Sequence, residues 1–345
     1  MQFLIPTFMK NFPLILLTIL IIGCNKKEDT PEYAPLTNTN YKIGISKIDD
    51  IVENGALIIL GIENPDSLKI YQRGIVYNTT SNLSIKSKKT YTTDLKNTEF
   101  IILLQSLKSN TTYYIKPYSI TDNNLLYYGE TDSFKTLAFP EKAIDYEGNE
   151  YKTVKIGKQL WLKENLKSSY SSDGEQISES YDYGDNPSIS PVYGKLYTWK
   201  AATKNPTNSM IMNQGVCPTG WHVPSNDEWN ILSDYLGGDS ISGYKLKANG
   251  IAGDGLWGTN GGSDEAGFSA LPSGFKSSSG TYNGINADSY FWTSTEWEAS
   301  ASYAYMKRIY YGRTNLGSYF AVGTEKTAAM SVRCIYNKEI NEPDQ

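Results

Sequence analysis

Apolar residues are spaced in different ways along this chain. Residues 14–22 form one apolar run, in which Thr18 is the single polar residue. Between residues 41 and 137, short apolar segments at 55–62, 69–77 and 98–104 are separated by Asn, Asp, Ser and Pro. Strands joined by turns produce this pattern, because turn residues interrupt short runs of high strand propensity. We therefore predict an all-β unit over residues 41–137.

A helix is predicted in the second part of the chain, after Pro140. Ser225 is suited to cap its N-terminus, and Glu228 can reach back to complete a capping box. Gly237 is expected to end it, since glycine adopts the left-handed conformation of a helix end. Apolar residues at helical spacing predict one buried face, formed by Trp229, Leu232, Tyr235 and Leu236.

The composition is typical of a protein of strands and tight turns, and it argues against several classes of function. The 345 residues suffice for two domains and include 27 Tyr and 29 Gly. The net charge of -5 argues against nucleic acid as a partner. With a single histidine, His222, the chain has no His pair for catalysis and no His-rich metal site. We expect His222 to be structural, with a ring nitrogen bonded to the backbone, and we expect no cofactor.

The N-terminus resembles that of a bacterial lipoprotein. The apolar run is short for a membrane span and ends in Ile21-Ile22-Gly23-Cys24, as in a lipobox. This resemblance implies a signal peptide over residues 1–24 and a membrane anchor of acyl chains on Cys24. Residues 25–40 are a polar linker, in which residues 27–29 resemble the surface-export signal of Bacteroidetes lipoproteins. The expected location is the outer membrane, lipid-anchored and surface-exposed; the alternative is a buried N-terminal helix.

Residues 107–119 resemble the tyrosine corner of fibronectin type III domains. After a turn at Ser109-Asn110, four residues are expected to share one face: Leu107, Thr111, Tyr113 and Ile115. The resemblance implies a fibronectin type III-like sandwich over residues 41–137, with the Tyr113 hydroxyl bonded to the preceding turn. The early strands contain no tryptophan, so residues such as Leu57 or Ile59 are expected to fill that core position. The alternative is another β-sandwich.

Six sequence blocks in the second part carry a more specific resemblance. They lie at residues 145–167, 193–202, 217–229, 267–275, 291–296 and 331–335. Their order resembles the Fibrobacter succinogenes major paralogous domain of bacterial lipoproteins. The resemblance implies an α+β, C-type-lectin-like fold over residues 138–338, followed by a tail at 339–345. The protein is then multi-domain, with an all-β sandwich before the lectin-like domain.

Three cysteines are present, and the first is assigned to the lipid anchor. This leaves Cys217 and Cys334 as a pair, and an exported protein can form disulfides. We predict a bond that joins the segment before the Ser225 helix to the last strand. The alternative is two free, buried thiols.

A glycine-rich loop over residues 248–265 is the candidate ligand site. Its Gly253–Gly258 segment matches G-x-G-x-x-G, but no strand precedes it and no helix pattern follows, so we exclude a dinucleotide site. Side-chain oxygens that a calcium ion can use cluster in the loop, and the alternative is a solvated loop. Trp257 of the loop and Trp297 further along the chain, flanked by Gly and Glu, are candidates for exposure and ligand contact. The candidate residues are Asp254, Trp257, Asn260, Asp264, Glu265 and Trp297.

These features indicate a non-catalytic surface protein that binds glycan or protein through its lectin-like domain. A structural envelope component without a soluble ligand is the first alternative. A glycan hydrolase is the second, with Glu296 and Glu298 as the acidic pair that could share a face.

The lipobox interpretation makes a direct prediction. Replacing Cys24 with alanine should leave the precursor unlipidated, because no thiol remains at the cleavage site to carry the acyl chains. Metabolic labelling with palmitate, compared with the wild-type chain, measures this. Labelling of the Cys24→Ala protein at the wild-type level would refute the interpretation.

Overall fold

The structure is a computed structural model that describes residues 34–35, 40–64, 68–204, 213–249, 257, 261–317 and 324–337. The predicted signal peptide, Cys24 and the C-terminal tail lie outside these residues. Within the described residues, no helix is both long and apolar enough to cross a bilayer. The signal-peptide and lipid-anchor assignments therefore stay predictions.

The strands of the N-terminal part form two sheets. One sheet has the order β1-β8-β7-β4-β5, with β9 paired to β7, and the other has the order β2-β3-β6. The strands are β1 Ala34–Pro35, β2 Lys42–Val52, β3 Gly55–Glu63, β4 Ile70–Asn78, β5 Lys88–Thr92, β6 Glu99–Leu104, β7 Thr112–Thr121, β8 Leu125–Tyr128 and β9 Asp132–Lys135. The three predicted strands correspond to β3, β4 and β6.

Side chains from both sheets share one apolar core. On β3, Ile58 and Leu60 are fully buried, and Phe100 and Ile102 of β6 pair beside them. Each such side chain contributes about 1.5–3 kcal/mol relative to its exposed state. Leu57 and Ile59 are only partly buried, so their expected place in the core was wrong by one residue. Because neighbouring strand residues face opposite sides, a shift of one position exchanges the two faces.

The tyrosine corner is present as predicted from residues 107–119. The backbone N–H of Lys108 donates to the Tyr113 hydroxyl over 3.0 Å. Leu107, Tyr113 and Ile115 are buried in the same core. The turn between β6 and β7 is thus held by a side chain from the strand that follows it.

Strands also outnumber helices in the C-terminal part. Its sheets have the orders β10-β11-β12-β23-β15 and β13-β14-β22-β16-β18-β19-β20, with β17 paired to β16 and β21 to β19. The strands are β10 Lys142–Ile144, β11 Glu150–Ile156, β12 Gln159–Leu162, β13 Ser180–Tyr181, β14 Leu196–Thr198, β15 Trp221–His222, β16 Ser273–Lys276, β17 Tyr282–Ile285, β18 Ser289–Glu296, β19 Tyr303–Ile309, β20 Leu316–Gly317, β21 Thr324–Glu325, β22 Ala329–Met330 and β23 Ile335–Tyr336.

Four short α-helices interrupt the described strands of this part. They are α1 Ser190–Tyr193, α2 Trp199–Thr203, α3 Asn226–Tyr235 and α4 Asp239–Leu246, and a 3-10 turn spans Tyr183–Asp185. The predicted helix is α3, and the predicted capping box between Ser225 and Glu228 is complete.

The apolar face of α3 differs from the prediction at one position. Trp229, Leu232 and Leu236 are buried, whereas Tyr235 is 66% exposed. Positions 229, 232 and 236 follow the i, i+3, i+7 stripe, and position 235 lies off it. The Tyr235 ring lies instead over Gly157, where an added Cβ would come within 2.8 Å of it.

The disulfide between Cys217 and Cys334 is formed as predicted. The two Cα atoms are 6.0 Å apart, and both cysteines are fully buried. The bond joins the segment before β15 to the segment before β23. Strands β15 and β23 are themselves hydrogen-bonded neighbours in one sheet. It closes a separation of 117 residues.

Replacing Cys217 with serine should lower the free energy of unfolding by about 2–4 kcal/mol. The chain-entropy model assigns up to ~4.7 kcal/mol to a loop of ~100 residues, and strain reduces that value. Urea unfolding under oxidising conditions measures the loss. Reductant should destabilise the wild-type protein and leave the Cys217→Ser protein unchanged; equal midpoints for the two oxidised proteins would contradict the prediction.

Candidate functional site

The glycine-rich loop does not offer Trp257 to a ligand. This side chain is 1% exposed and its indole N–H donates to the Ala270 carbonyl over 2.8 Å. The ammonium group of Lys247 lies 5.0 Å from the ring centre. The expectation that Trp257 is exposed was therefore wrong. Flanking glycines are typical of a solvated loop. The tryptophan ring has a large apolar area, however, and its burial is favourable enough to place the side chain in the core.

The two described acidic residues of the loop already have protein partners. The Asp264 carboxylate accepts hydrogen bonds from the backbone and hydroxyl of Ser269 at 2.8 and 2.7 Å. Glu265 lies 3.4 Å from the Lys245 ammonium group. The other two candidates, Asp254 and Asn260, lie outside the described residues. Among residues that the structure describes, no three His, Cys, Asp or Glu side chains are grouped for a metal ion.

The acidic pair considered for hydrolysis is divided between two contacts. Glu296, at the end of β18, accepts a hydrogen bond from Lys326 over 2.7 Å. Glu298 accepts one from the Tyr305 hydroxyl over 2.7 Å. Trp297 lies between them and is partly buried, with its ring packed edge-on against Tyr303. Each carboxylate is therefore committed to a different neighbour.

His222 is structural in this geometry, but its partners are side chains. Its Nδ1 lies 2.9 Å from Asn337 Oδ1, and its Nε2 lies 2.8 Å from Glu228 Oε1. The expected bond to the backbone was wrong. Burial raises the pKa of Glu228, but hydrogen bonds from His222 and Ser225 outweigh burial and hold that pKa below its usual value. The capping carboxylate is thus stabilised as an anion.

Two adjoining hollows form a groove beside α2. They have volumes of about 310 and 420 Å³ and share Glu179 and Lys200 in their walls. The first hollow is lined by residues of the 171–179 segment and by Lys200, Ala201 and Lys204. The second is lined by Glu179, Tyr181, Thr198, Trp199, Lys200, Glu296, Lys326 and Thr327. We call these two hollows together the α2 groove.

The helix at the base of the groove is fixed by side-chain bonds. Thr198 caps α2 by accepting from the Ala201 N–H, and its hydroxyl donates to Glu179 Oε2 over 2.7 Å. The Trp199 indole donates to the Thr293 carbonyl over 2.9 Å. These bonds connect α2 to the 175–181 segment and to β18, so the groove walls have defined positions.

Lys326 is held at one end of the groove. Its ammonium group donates to Glu296 Oε1 and to the Ala301 carbonyl, both over 2.7 Å. It also lies 4.1 Å from the centre of the Trp199 ring, within the range of a cation–π contact.

Lys204 closes the other end of the groove. It contacts Asp173 at 2.8 Å and Glu175 at 2.9 Å. These two carboxylates, Asp173 first, raise the pKa of Lys204, so this lysine is charged at neutral pH. Lys200, between the two ends, is exposed and forms no ion pair within the described part of the chain.

Sequence comparison assigns the part of the chain that contains this groove. The profile of the Fibrobacter succinogenes major domain family matches residues 154–336. The chain belongs to this family. The match includes the α2 groove, the disulfide and helix α3. No curated protein matches the chain.

Solved structures resemble the chain only weakly. Two structures of the sensor domain of the anti-sigma factor RsgI4 from Pseudobacteroides cellulosolvens are 19% and 22% identical, cover 30% and 28% of this chain and 100% and 76% of their own, and give TM-scores of 0.24 and 0.22. A fibronectin type III domain from the human KIAA0970 protein is 18% identical, covers 29% of this chain and 75% of its own, and gives 0.21. TM-scores this low carry no structural argument.

The groove of the Fibrobacter succinogenes major domain was not among the sequence-predicted sites. Trp199, in the wall of the second hollow, lies within the sequence block at residues 193–202 and is 3% exposed. The signal that could have drawn attention is the spacing of Glu175 and Glu179 and of Lys200 and Lys204, each four residues apart. These two pairs indicate a shared site only once the structure shows that the 175–179 segment and α2 lie next to each other.

Glu228→Gln tests the polar cluster around His222. Because its folded-state pKa is lowered, ionised Glu228 stabilises the fold above its unfolded pKa of about 4.3, and this contribution is lost as the pH falls through the folded-state pKa. The substitution should cost about 1.5–3 kcal/mol at pH 7, the usual value of hydrogen bonds to a charged group. Urea unfolding at pH 7 and at pH 3 should show this cost shrinking in acid.

Asp227→Asn is the matched control for this prediction. It removes the same charge from the same helical turn, but Asp227 is exposed. Its cost should stay within about 0.3–1 kcal/mol. An equal loss for both variants at pH 7, or a loss in Glu228→Gln that does not depend on pH, would contradict the assignment.

Proposed function

We propose that this chain is a lipid-anchored cell-surface protein that binds a glycan or protein ligand without transforming it. The ligand site is the α2 groove of the Fibrobacter succinogenes major domain. The observation that supports the proposal is the groove itself, because two neighbouring hollows whose walls are held by hydrogen bonds form a preorganised concave surface, and ligand sites are concave.

The arrangement of carboxylates favours binding over hydrolysis. Glycoside hydrolysis needs two carboxyl groups that face one bond, and one of them must be kept protonated. Glu296 is instead paired with Lys326 at 2.7 Å, and hydrogen bonding from Tyr305 lowers the pKa of Glu298. The two carboxylates are thus held by different partners.

The proposed architecture follows from the anchor and the two parts of the chain. Acyl chains on Cys24 would hold the chain at the outer membrane, with the linker leading to Ala34. About ten residues span at most roughly 35 Å, so the fibronectin type III-like sandwich would lie close to the lipid surface. In this proposal it supports the C-type-lectin-like domain, whose groove faces outward.

Filling the groove tests this function. Thr327→Trp places an indole at an exposed position of the second hollow. Thr80→Trp is the control, because Thr80 is equally exposed and lies in the β4–β5 loop. The full-length protein in detergent is tested against a glycan array and against isolated cell-surface proteins. Hits are then measured as shifts in melting temperature, because a ligand at 100 times its Kd stabilises the native state by about 2.7 kcal/mol.

The expected outcome is a ligand-dependent shift that Thr327→Trp abolishes and Thr80→Trp retains. A ligand that binds both variants equally would place the site elsewhere. Failure of every glycan and every protein to bind would instead favour a structural envelope component.

A further inference from the structure

We infer that the α2 groove recognises an uncharged oligosaccharide and does so without a metal ion. This inference rests on the proposed function and narrows its ligand class. It differs from the sequence prediction, which placed ligand contact at the glycine-rich loop with a calcium ion. The argument comes from the charge balance, the fixed polar groups and the shape of the groove.

The charges of the groove are mixed and close to balance. Its described lining contains three carboxylates and three ammonium groups: Glu175, Glu179, Glu296, Lys200, Lys204 and Lys326. Glu175 pairs with Lys204 at 2.9 Å and Glu296 with Lys326 at 2.7 Å, and Asp173 adds a fourth carboxylate 2.8 Å from Lys204. A polyanion would meet four carboxylates and a polycation three ammonium groups. A neutral ligand avoids both repulsions.

The same groups are suited to hydroxyl groups of a ligand. The Glu179 carboxylate uses Oε2 to accept from Thr198, and its other oxygen makes no hydrogen bond to the described residues. Lys200 offers donors from the shared wall of the two hollows, and Thr327 is an exposed hydroxyl. A hydroxyl both donates and accepts, so it can bridge a carboxylate and an ammonium group that lie side by side. Bonds to charged partners are also the stronger ones.

The shape of the groove favours an extended ligand. Because the hollows share Glu179 and Lys200, their volumes of about 310 and 420 Å³ lie side by side along the surface. Partly buried apolar side chains line each hollow, with Ile177 in the first and Tyr181 in the second. Alternating apolar and polar contacts suit the carbon and hydroxyl faces of sugar rings. A chain of several rings would occupy both hollows.

A protein ligand fits the groove less well. Protein interfaces obtain most of their energy from aromatic or arginine side chains that become desolvated. Among the described lining residues there is no arginine, and the tryptophan, Trp199, is 3% exposed and covered by the Lys326 ammonium group. The exposed groups of the groove are instead charged and hydroxylated.

Lys200→Glu tests the inference. Lys200 has no ion-pair partner to lose among the described residues, and the substitution removes one of the three ammonium groups of the lining and adds a carboxylate near Glu179. Lys158→Glu is the control, since Lys158 is also exposed and lies outside the groove, in the β11–β12 turn. Melting temperatures equal to that of the wild-type protein would show that both variants remain folded.

Full-length protein in detergent is titrated with three kinds of probe. Neutral probes are hexasaccharides of glucose, mannose and xylose; the charged probe is a galacturonate hexasaccharide; and the protein probes are deglycosylated collagen and fibronectin. We expect a neutral hexasaccharide to bind, with a Kd raised at least tenfold by Lys200→Glu and unchanged by Lys158→Glu. EDTA should not weaken binding. Raising NaCl from 50 to 500 mM should change the Kd less than about twofold, because the ligand has no net charge to be screened.

The other outcomes separate the two proposals. If galacturonate or a protein binds and Lys200→Glu weakens it, the groove is a binding site and the neutral-glycan inference is wrong. Loss of neutral-glycan binding in EDTA would also overturn the inference. Binding that both lysine variants retain would overturn the groove as the site. If no probe binds, the inference fails, and the glycan array and the cell-surface proteins then decide the proposed function separately.

Discussion

The bond between Cys217 and Cys334 constrains the segment on which the C-terminal sheets converge. Strand β23 follows Cys334 directly, is two residues long, and lies between β12 and β15. So short a strand forms few backbone hydrogen bonds with each neighbour. The covalent bond supplies stability that so few hydrogen bonds cannot. It removes much of the entropy cost of bringing together segments 117 residues apart.

Arg333, the residue before Cys334, also holds the last segment in place. Its side chain is 1% exposed, and its guanidinium donates to Asn165 Oδ1 and to the carbonyls of Leu162, Lys163 and Phe268. An unpaired buried cation would cost several kcal/mol, so these acceptors are a condition of its burial. The hydrogen bonds and the disulfide act on neighbouring residues and hold the last segment against β12 and the 268 region.

Features that depend on local chemistry were predictable from the sequence. The capping box needs Ser225 and Glu228 three residues apart, and the tyrosine corner needs Tyr113 five residues after Lys108. Their physical cause lies within one turn of chain. The disulfide was predictable because three cysteines and an assigned lipid anchor left a single pair. The family blocks added the order of the C-terminal elements.

Features that depend on distant partners were not predictable in the same way. Burial of Trp257 requires the Ala270 carbonyl and Lys247, and neither is implied by the glycines around it. The orientation of Leu57 and Ile59 is set by the register of β3 against β6. The same limit applies to the α2 groove, whose walls come from the 175–181 segment, α2, the end of β18 and the turn before β22.

The position of Lys326 joins the groove to the closure at the C-terminus. Lys326 precedes β22, and β22 pairs with β14, which leads directly into α2. The backbone N–H of Trp199 also donates to the Lys326 carbonyl over 3.0 Å. The segment that ends in Arg333 and Cys334 therefore places one wall of the groove. Because that segment is held by a covalent bond and a saturated cation, the ammonium group over Trp199 has a fixed position before any ligand arrives. In the function proposed above, less ordering entropy would then be lost on binding, so modest polar contacts would suffice to hold a flexible ligand.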